Sequence, residues 1–586
     1  MSPAVLQPWW EEFPGRLERE VAAFHDLGLE FVVDEAERAR GRIVLAGKYR
    51  LSSGRELPLA IVYPDTYPRT RFVAYATDRA DRVPAHQNPI DGNLCLLPRG
   101  SLHWDPAMLA ARVLAERLEL IYTPGGVPPE LEDAQGEPVT SYLPYVPNAG
   151  IVVDEACFDL VTGVSHGRLK FVVDGEDWLR ASPADPHAPL GKALLVEVRD
   201  RSGTAIAASD ETMRVAFTGP VIAGVWERLD PAPDAGNIEQ IHERLRALIS
   251  RAPPKIWTTR GNHRFLFAGV VLLEEGRQRR TNPTWVFLLA RQRRSDARIE
   301  MLPLRALRYG PVTRGERIPE LAPLREATVS VVGLGSLGAP LATTLARSGV
   351  ATLRIADFDH VEAAGGVRWV SDLEGAGAAK TMALRTLLRR NYPLTKVETF
   401  DLPVGHVARS RREPSESSLL AAWSDGASVL IDATAEDNVS QVVSAYGDRL
   451  GIPQVYLWSV DAFGGVVVRA VPGKTGCFHC AQLHLSSEFG TMEGMPYAKL
   501  SEGRRVQPLG CADATFTGDA PSLTPLADHA ARVAFGMLCA GAAGGYPAYR
   551  DDLFVLRLRN PDGSLVTPQW TSYALSPHPR CPICNR

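Results

Sequence analysis

Residues 328–359 constrain the fold of this chain more than any other stretch. Residues 329–332 form a short run rich in valine, which is typical of a buried parallel strand. The loop that follows contains three glycines in GxGxxG spacing: Gly333, Gly335 and Gly338. Residues 339–348 then show helical apolar spacing, and residues 353–357 predict a second strand. The order strand, glycine turn, helix, strand predicts one unit of a doubly wound α/β sheet.

The glycine turn predicts a nucleotide site. Glycine allows backbone amides at a helix N-terminus to approach phosphate closely. Asp357 comes 24 residues after Gly333, where a carboxylate can accept hydrogen bonds from ribose hydroxyls. A GxGxxG motif alone is weak support, but here a strand precedes it, and a helix and an acid follow it. The choice of nucleotide depends on residues further along the chain.

The size and charge of the chain limit the kinds of protein it can be. Its 586 residues allow two to four domains, and a net charge of −4 argues against a nucleic-acid surface. The first residues lack the basic start and apolar core of a signal peptide, and no uncharged apolar run reaches ~18 residues. We therefore expect a cytoplasmic protein without nucleic-acid or membrane partners. Its eight cysteines are then thiols, metal ligands or nucleophiles rather than disulfides.

Residues 1–145 form the first predicted domain, an α+β unit. Apolar spacing predicts a helix over residues 9–27, strands near residues 30–33, 41–45 and 57–62, and a helix over residues 107–121. Cys95 follows a turn, with His86 and Asn88 just before it. A thiol that carries a thioester needs a donor for the oxyanion formed when the thioester is attacked, and an Asn amide can serve. The simpler alternative is that Cys95 is a small buried thiol.

The stretch from residue 63 to residue 121 resembles a ubiquitin-conjugating enzyme. It shares a Tyr-Pro segment, a His-x-Asn element, a GxxCL turn and the Trp-x-Pro start of a helix. The resemblance implies that Cys95 is the thioester cysteine, that Asn88 stabilises the oxyanion and that His86 orders the loop. Gln87 stands where this family usually has proline, and the spacing from His86 to Cys95 is about one residue shorter. A catalytically inactive relative that only binds a partner is the alternative.

Residues 146–315 form the predicted middle domain, which is also α+β. A segment rich in Pro, Gly and acids, residues 124–149, precedes it and indicates a boundary. An amphipathic helix is predicted over residues 238–249, among several strand-like apolar runs. Cys157 is expected to be structural. Two clusters of arginine are expected on solvated faces: residues 277–280 and residues 291–294.

Residues after the glycine turn favour ATP over NAD. Asp359, Arg368 and Lys380 follow the second strand in sequence. Residues 428–432 predict another buried strand, and Asp437 follows its carboxyl end, the edge at which open parallel sheets bind ligands. An adenylyl transferase needs a lysine, an arginine and a metal-binding acid, because charge develops on the α-phosphate and the departing pyrophosphate. An NAD enzyme does not need them.

Two CxxC pairs predict a structural zinc site. Four thiolates suit tetrahedral Zn²⁺ with no open position, and redox thiols are the alternative. The predicted ligands are Cys477, Cys480, Cys581 and Cys584. Cys511 belongs to neither pair and follows a polar stretch, so it is a candidate nucleophile. Two nearby histidines, His479 and His484, are expected not to be ligands.

Residues 316–586 form the third predicted domain, which resembles the ThiF/MoeB/ubiquitin-activating superfamily. The shared motifs are GxGxxG, DxD, a following Arg, GxxK, Asp-Asn after the fourth strand, and both CxxC pairs. The resemblance implies ATP and Mg²⁺, a homodimer and an upstream arginine, for which Arg314 and Arg317 are candidates. Gly365 replaces the family's usual Asn. The implied roles are phosphate binding by Gly333, Gly335, Gly338, Arg368 and Lys380, ribose binding by Asp357, nucleotide binding by Asp359, metal binding by Asp437 and thioester formation by Cys511.

An activating domain joined to a conjugating domain resembles the bacterial fusion ligases of CBASS anti-phage operons. Those enzymes attach the C-terminus of a cyclic-nucleotide synthase (CD-NTase) to other molecules. The resemblance implies adenylation of a protein C-terminus, transfer of the acyl group to Cys511 and then to Cys95, and attack by an amine. The alternatives are a ThiF/MoeB-like adenylyltransferase for a ubiquitin-like or sulfur-carrier protein, with a passive first domain, an inactive scaffold and, least favoured, an NAD oxidoreductase.

Overall fold

The structure is a computed structural model of the chain. It describes residues 7–585 except 79–80, 82–85, 89–90, 98–103, 123–139, 141–142, 159, 161–162, 176, 180–190, 231–237, 276–280, 405–414, 461–463, 487–504, 507–514, 517, 542–544 and 561. The chain divides into two compact units. The first comprises Met1–Ser209 and Thr218–Arg308, and the second comprises Asp210–Phe217 and Tyr309–Arg586. The predicted first and middle domains therefore share one unit, and the boundary near residue 145 stays a prediction.

The N-terminal part of the first unit contains a four-stranded antiparallel sheet. Its strands, in spatial order, are β1 (Phe31–Val33), β2 (Ile43–Arg50), β3 (Glu56–Tyr63) and β4 (Val73–Ala76). Its helices are α1 (Trp9–Glu12), α2 (Arg16–Asp26), α3 (Glu35–Arg38) and α4 (Ala110–Tyr122). The predicted single helix over residues 9–27 is wrong. Pro14 and Gly15 separate α1 from α2, and Gly15 has a φ of 76°, which glycine adopts readily.

Helix α4 begins three residues later than the sequence pattern indicates. The backbone N–H of Ala107 is bound by the Asp105 side chain in a turn, at 2.8 Å. The N–H of Ala110 donates to the buried carboxylate of Glu20, at 2.9 Å, and Glu20 also accepts a hydrogen bond from Tyr63. A buried acid from α2 therefore satisfies the N-terminus of α4, a contact that local propensity does not encode.

The rest of the first unit contains a larger sheet whose strand order closes on itself. Its strands are β5 (Ala149–Asp154), β6 (His166–Asp174), β7 (Gly191–Arg199), β8 (Ala205–Ala208), β9 (Val221–Leu229), β10 (Thr258–Arg260), β11 (His263–Glu275), β12 (Thr281–Arg293) and β13 (Ile299–Tyr309). The order is β10-β11-β12-β13-β5-β7-β6-β9, with β8 beside β7. Because β9 also pairs with β11, the sheet forms a closed ring, which the sequence did not predict.

Two helices come from the same part of the chain. They are α5 (Glu211–Arg214), which belongs to the second unit, and α6 (Ile238–Arg251). Buried residues of α6 pack against one face of β11, while alternate residues of β11 enter a separate core on its other face. The expected solvated arginine face is wrong for Arg291, which is buried and bonded to Glu300 at 2.6 Å. Arg293 and Arg294 are exposed, and residues 277–280 lie outside the described residues.

The second unit is an eight-stranded sheet covered by helices. Its strands are β14 (Thr328–Val332), β15 (Thr352–Ala356), β16 (Lys396–Phe400), β17 (Val429–Asp432), β18 (Gln454–Val460), β19 (Gly464–Ala470), β22 (Leu553–Arg559) and β23 (Leu565–Tyr573), and β20 (Arg505–Val506) pairs separately with β21 (Thr515–Phe516). The helices are α7 (Pro311–Gly315), α8 (Gly338–Ser348), α9 (Lys380–Asn391), α10 (Glu416–Ser424), α11 (Asp437–Leu450), α12 (Phe478–Leu485) and α13 (Ala520–Cys539).

Strand order in this sheet gives it a doubly wound topology. The order is β16-β15-β14-β17-β18-β19-β22-β23, and the first five strands are parallel. Buried side chains fill both faces: one core involves α8 and α13, and the other involves α10 and α11. This confirms the predicted α/β class of the C-terminal domain. Within the described residues, no helix has the length and apolarity needed to cross a bilayer.

Short 3₁₀ helices complete the elements. They lie at Glu155–Cys157, Asp177–Leu179, Pro254–Ile256, Pro319–Glu326, Ala363–Val367 and Leu373–Gly375. The fifth of these, Ala363–Val367, directly precedes Arg368 and so helps to form the candidate nucleotide site.

Candidate nucleotide site, cysteine cluster and thiol segment

The loops after β14 and β17 lie next to each other at the carboxyl edge of the sheet, where its strand order reverses. A Cβ on Gly333 would lie 2.6 Å from the Thr434 backbone nitrogen, and one on Gly338 would lie 1.7 Å from the Gly333 carbonyl oxygen. Gly333 also has a φ of 83°. A Cβ on Gly335, by contrast, would meet nothing within 4 Å. Two glycines are therefore required by packing, and the third borders open space that could receive phosphate.

The Asp357 carboxylate is hydrogen-bonded to the glycine loop. One of its carboxylate oxygens accepts the Leu334 N–H at 2.6 Å, and the other accepts the Asp359 N–H at 2.8 Å. The sequence predicted Asp357 as a ribose ligand. Carboxylate oxygens have further acceptor capacity, so a ribose contact is compatible with these bonds. The structure shows that Asp357 connects the glycine loop to the end of β15, and its ribose contact stays a prediction.

Lys380 and Asp359 form an ion pair beside the loop, with 2.6 Å between Nζ and Oδ2. Burial raises the pKa of Asp359, but the hydrogen bonds from Lys380 and the His360 amide, together with the nearby positive charge, outweigh burial, so the pKa is lowered. The Lys380 N–H also donates to the Asp359 carbonyl at 2.9 Å. Through Asp359 and Asp357, these contacts connect the Lys380 ammonium group to the glycine loop. Such a group can balance the charge of a phosphate.

Arg368 is half-buried, and its desolvation lowers the pKa of the guanidinium group. The neighbouring Trp369 donates from its indole nitrogen to the Leu334 carbonyl, at 2.7 Å. The turn that carries Arg368 is therefore attached to the glycine loop. Arg314, suggested as an upstream contact, instead donates to the carbonyls of Ala346 and Arg347 at the far end of α8. In this chain it caps the helix end opposite the nucleotide site.

Asp437 is exposed at the first residue of α11, close to the same crevice. Sequence reasoning missed a second acid there, Asp432 at the end of β17, which is only 1% exposed. Burial raises the pKa of Asp432, while hydrogen bonds from Ser440 and Thr434 oppose that shift. The signal that could have found it is a strand-terminal Asp followed two residues later by Thr, a pattern that favours a side-chain-capped turn.

The four CxxC cysteines come together in the second unit, with their sulfur atoms all within 4.8 Å of one another. Three of the separations are 3.8 Å for Cys477–Cys480, 3.7 Å for Cys477–Cys581 and 3.6 Å for Cys480–Cys584. Tetrahedral zinc with Zn–S bonds of about 2.3 Å requires sulfur separations of about 3.8 Å. The cluster therefore fits a tetrahedral zinc ion, whereas the distances are far too long for disulfide bonds.

Three histidines near the cluster make hydrogen bonds that show how each is used. The His578 N–H donates to the Cys480 sulfur at 3.2 Å, as is common around thiolate ligands. His484 contacts the Ser576 carbonyl through Nε2 at 2.9 Å, and His479 contacts Gln441 through Nδ1 at 3.2 Å. These bonds agree with the expectation that neither His479 nor His484 is a metal ligand.

Cys95 and Asn88 lie on two short paired segments of the first unit. The Cys95 N–H donates to the His86 carbonyl at 2.8 Å, and the Asn88 N–H donates to the Asn93 carbonyl at 2.7 Å. Alternate residues of a ladder share a face, so this pairing puts Cys95 and Asn88 on the same face. Cys95 is partly exposed, unlike the fully buried Cys157, whose pKa burial raises to about 12.

Cys511, the predicted first nucleophile, lies outside the described residues. Its place relative to the glycine loop is therefore a prediction from sequence alone. Cys539, a further cysteine of the second unit, is fully buried within α13 and belongs to the core beside α8.

The class of the C-terminal domain follows from its fold, its glycine crevice and a comparison with known families. Residues 315–540 match the ThiF family, so the chain contains a ThiF family domain. The whole chain is similar to the uncharacterized protein y4oA of Sinorhizobium fredii (strain NBRC 101917 / NGR234). The two are 28% identical, and the match covers 98% of this chain and 97% of that protein.

Other relatives match a smaller part of the chain. Ubiquitin-like modifier-activating enzyme 5 of Oryza sativa subsp. japonica is 32% identical over 184 residues, which are 30% of this chain and 41% of that protein. Among solved structures, Escherichia coli MccB with ATP is 21% identical, with a TM-score of 0.33, over 45% of this chain and 68% of that chain.

We expect Gly335→Ala and Gly338→Ala to fail in different ways. The Gly338 variant should unfold at a lower temperature, because its methyl group would collide with backbone, and overpacking costs about 1–3 kcal/mol. The Gly335 variant should keep its stability and lose ATP affinity, because its methyl group would enter the open space. Thermal unfolding and calorimetric ATP binding measure the two effects. Unchanged ATP affinity in Gly335→Ala would mean that the phosphates do not occupy the space next to Gly335.

Proposed function

We propose that this protein is an ATP-dependent enzyme that activates the C-terminus of another protein and conjugates it to an amine. The observation that carries the proposal is the crevice between the β14 and β17 loops. It combines a glycine loop bordering open space with a lysine, an arginine and an exposed acid. The ThiF family match over residues 315–540 supports adenylation as its chemistry.

The first step is adenylation. The substrate's C-terminal carboxylate attacks the α-phosphate of ATP, an acyl adenylate forms, and pyrophosphate leaves. Backbone amides of the glycine loop, together with Lys380 and Arg368, would hold the phosphates. Asp437 would hold Mg²⁺, which neutralises developing phosphate charge when bound. Asp357 would accept hydrogen bonds from the ribose.

The later steps transfer the acyl group between thiols. The Cys511 thiolate attacks the adenylate carbonyl and AMP leaves. The Cys95 thiolate then attacks the Cys511 thioester, and the Cys511 thiolate leaves. A lysine amine finally attacks the Cys95 thioester, an amide bond forms, and the Cys95 thiolate leaves. Asn88 would donate its side-chain amide to the oxyanion of that last step.

The substrate class follows from the resemblance of the whole domain order to CBASS fusion ligases. We propose a CD-NTase as the activated protein, in anti-phage defence, and a homodimer formed through the adenylation domain. The second candidate function is adenylation of a ubiquitin-like or sulfur-carrier protein, with the first domain as a docking module. It is supported by the rice relative, a ubiquitin-like modifier-activating enzyme whose match covers 30% of this chain.

The four-cysteine cluster is proposed to hold one structural Zn²⁺ ion. All four thiolates would be ligands, so no position would remain open for catalysis. Its residues come from the α12 region and from the C-terminal turn, about a hundred residues apart, so the ion would join two distant parts of the second unit.

Asp437→Ala should reduce ATP/pyrophosphate exchange by at least about 100-fold, because the variant lacks the carboxylate that holds Mg²⁺. The assay uses a CD-NTase as acyl substrate, and the same protein without its C-terminal residue as the negative control. Glu436→Ala is the matched variant, since it removes an adjacent exposed carboxylate of equal charge. If exchange is lost in Glu436→Ala and kept in Asp437→Ala, our proposal names the wrong carboxylate as the Mg²⁺ ligand.

Freshly purified protein should contain one zinc per chain, and Cys581→Ser should lose it. The variant should also unfold at a lower temperature, by at least about 5 °C, because closed thiolate sites contribute folding free energy. Elemental analysis, thiol titration and thermal unfolding measure these effects. Cys539→Ala, which changes a buried cysteine outside the cluster, should keep the metal. Zinc-free protein with four freely titratable thiols would contradict the site.

The order of the two thiols can be tested with single substitutions. Cys511→Ala should prevent all thioester formation and leave adenylation intact. Cys95→Ala should trap the substrate on Cys511 as an adduct that reductant cleaves. Asn88→Ala should slow discharge to amine more than loading of Cys95. Gels run with and without reductant separate these outcomes, with Cys157→Ala as the buried-cysteine control. Normal amide product from Cys95→Ala would favour the docking-module alternative.

A further inference from the structure

The turn between β17 and α11 is held by a single buried carboxylate. Oδ1 of Asp432 accepts two hydrogen bonds from Thr434, one from its N–H at 2.8 Å and one from its hydroxyl at 2.7 Å. Oδ2 accepts from the Ser440 hydroxyl at 2.5 Å, on the first turn of α11. The two oxygens therefore connect the end of the strand to both sides of the turn.

This turn contains backbone strain. Ala435 has a φ of 60°, a left-handed conformation that costs a residue with a Cβ on the order of 1 kcal/mol. Its neighbours are fixed on both sides, because Thr434 is bonded to Asp432 and the Glu436 N–H donates to the Thr434 hydroxyl at 3.2 Å. Such strain persists only where surrounding contacts over-determine the conformation. Asp432 supplies those contacts.

The same turn contacts the glycine loop and leads directly into Asp437, the first residue of α11. The Thr434 nitrogen is the atom that a Cβ on Gly333 would meet, and the Ala433 Cβ lies 3.2 Å from where a Cβ on Gly338 would be. Helix α11 begins at Asp437, and its first turn is fixed to β17 through Ser440. The position of Asp437 relative to the glycine loop therefore depends on Asp432 by two routes, Thr434 and Ser440.

We propose that Asp432 is a positioning residue that holds the Asp437 carboxylate where Mg²⁺ would bind, through its bonds to Thr434 and Ser440. The inference rests on the proposed function, because it takes Asp437 as the Mg²⁺ ligand. Asp432 itself is buried and makes no contact with metal or nucleotide in this account. A purely structural cap would change stability only. A positioning residue also changes the Mg²⁺ concentration that ATP binding requires.

Helix α11 provides a matched pair of variants. Ser440 and Ser444 are both buried serines, 5% and 1% exposed, and lie one turn apart on the same helix. Only Ser440 donates to Asp432, whereas the Ser444 hydroxyl lies 3.5 Å from Asp448. Ser440→Ala and Ser444→Ala therefore make the same chemical change in similar surroundings, and only one of them breaks the connection to Asp432.

The experiment titrates Mg²⁺ at fixed ATP concentration and measures ATP binding to the full chain by calorimetry, without acyl substrate. Ser440→Ala should raise the Mg²⁺ concentration at half-saturation about fivefold, and Asp432→Asn should also raise it. Ser444→Ala should stay within about twofold of the parent protein. Thermal unfolding of each variant without ATP separates this effect from loss of fold.

Equal Mg²⁺ requirements in Ser440→Ala and Ser444→Ala would overturn the inference, whatever their unfolding temperatures. Asp437→Ala in the same titration separates the inference from the proposed function. If Asp437→Ala raises the Mg²⁺ requirement and Ser440→Ala does not, only the positioning role of Asp432 fails. If Asp437→Ala leaves the requirement unchanged, the metal role of Asp437 fails, and the inference fails with it.

Discussion

The candidate nucleotide site depends on a contact that only glycine permits. The loop after β14 packs directly on the turn after β17, with a Gly333–Thr434 approach too close for a Cβ. Other site residues are attached to these two segments by hydrogen bonds. Asp357 binds the Leu334 amide, and the Arg368 turn is attached through Trp369 to the Leu334 carbonyl. Since the glycine loop packs on the β17 turn and is hydrogen-bonded to Asp357 and Trp369, a substitution that moves it should displace the residues proposed to bind phosphate, ribose and metal together.

Features encoded by local pattern could be predicted from the sequence. Strand β14 was predicted at residues 329–332 and lies at Thr328–Val332, and α8 was predicted at residues 339–348 and lies at Gly338–Ser348. Periodicity and glycine punctuation are sufficient there, because both elements are apolar and bounded by turn residues. The cysteine cluster was predictable for a different reason. Four ligands are needed for a closed zinc site, so two distant CxxC pairs had to be considered together.

Features that arise from contacts distant in sequence could not be predicted. The break between α1 and α2 is not one of these features, because Pro14 and Gly15 mark it locally and the helix prediction followed the apolar spacing instead. The role of Asp432 depends on Ser440, which joins it only when α11 folds back onto β17. The closed ring of the middle sheet depends on β9 pairing with β11, and no local pattern specifies that pairing. Cys511 lies outside the described residues, so its role as a nucleophile stays a prediction from its sequence context.

Gln87 stands where ubiquitin-conjugating enzymes usually have proline, and its contacts indicate how residues 86–88 and 91–95 are ordered in this chain. Two backbone hydrogen bonds join residues 86–88 to residues 93–95, and their donors are the amides of Asn88 and Cys95. A proline at residue 87 would therefore not break them. It would, however, disfavour the φ of 59° at His86, because proline shifts the residue before it toward extended conformations. Gln87 instead donates from its side chain to the Gly92 carbonyl at 3.2 Å. The buried side-chain amide of Gln87 therefore orders this loop, at the position where ubiquitin-conjugating enzymes usually have the rigid ring of proline.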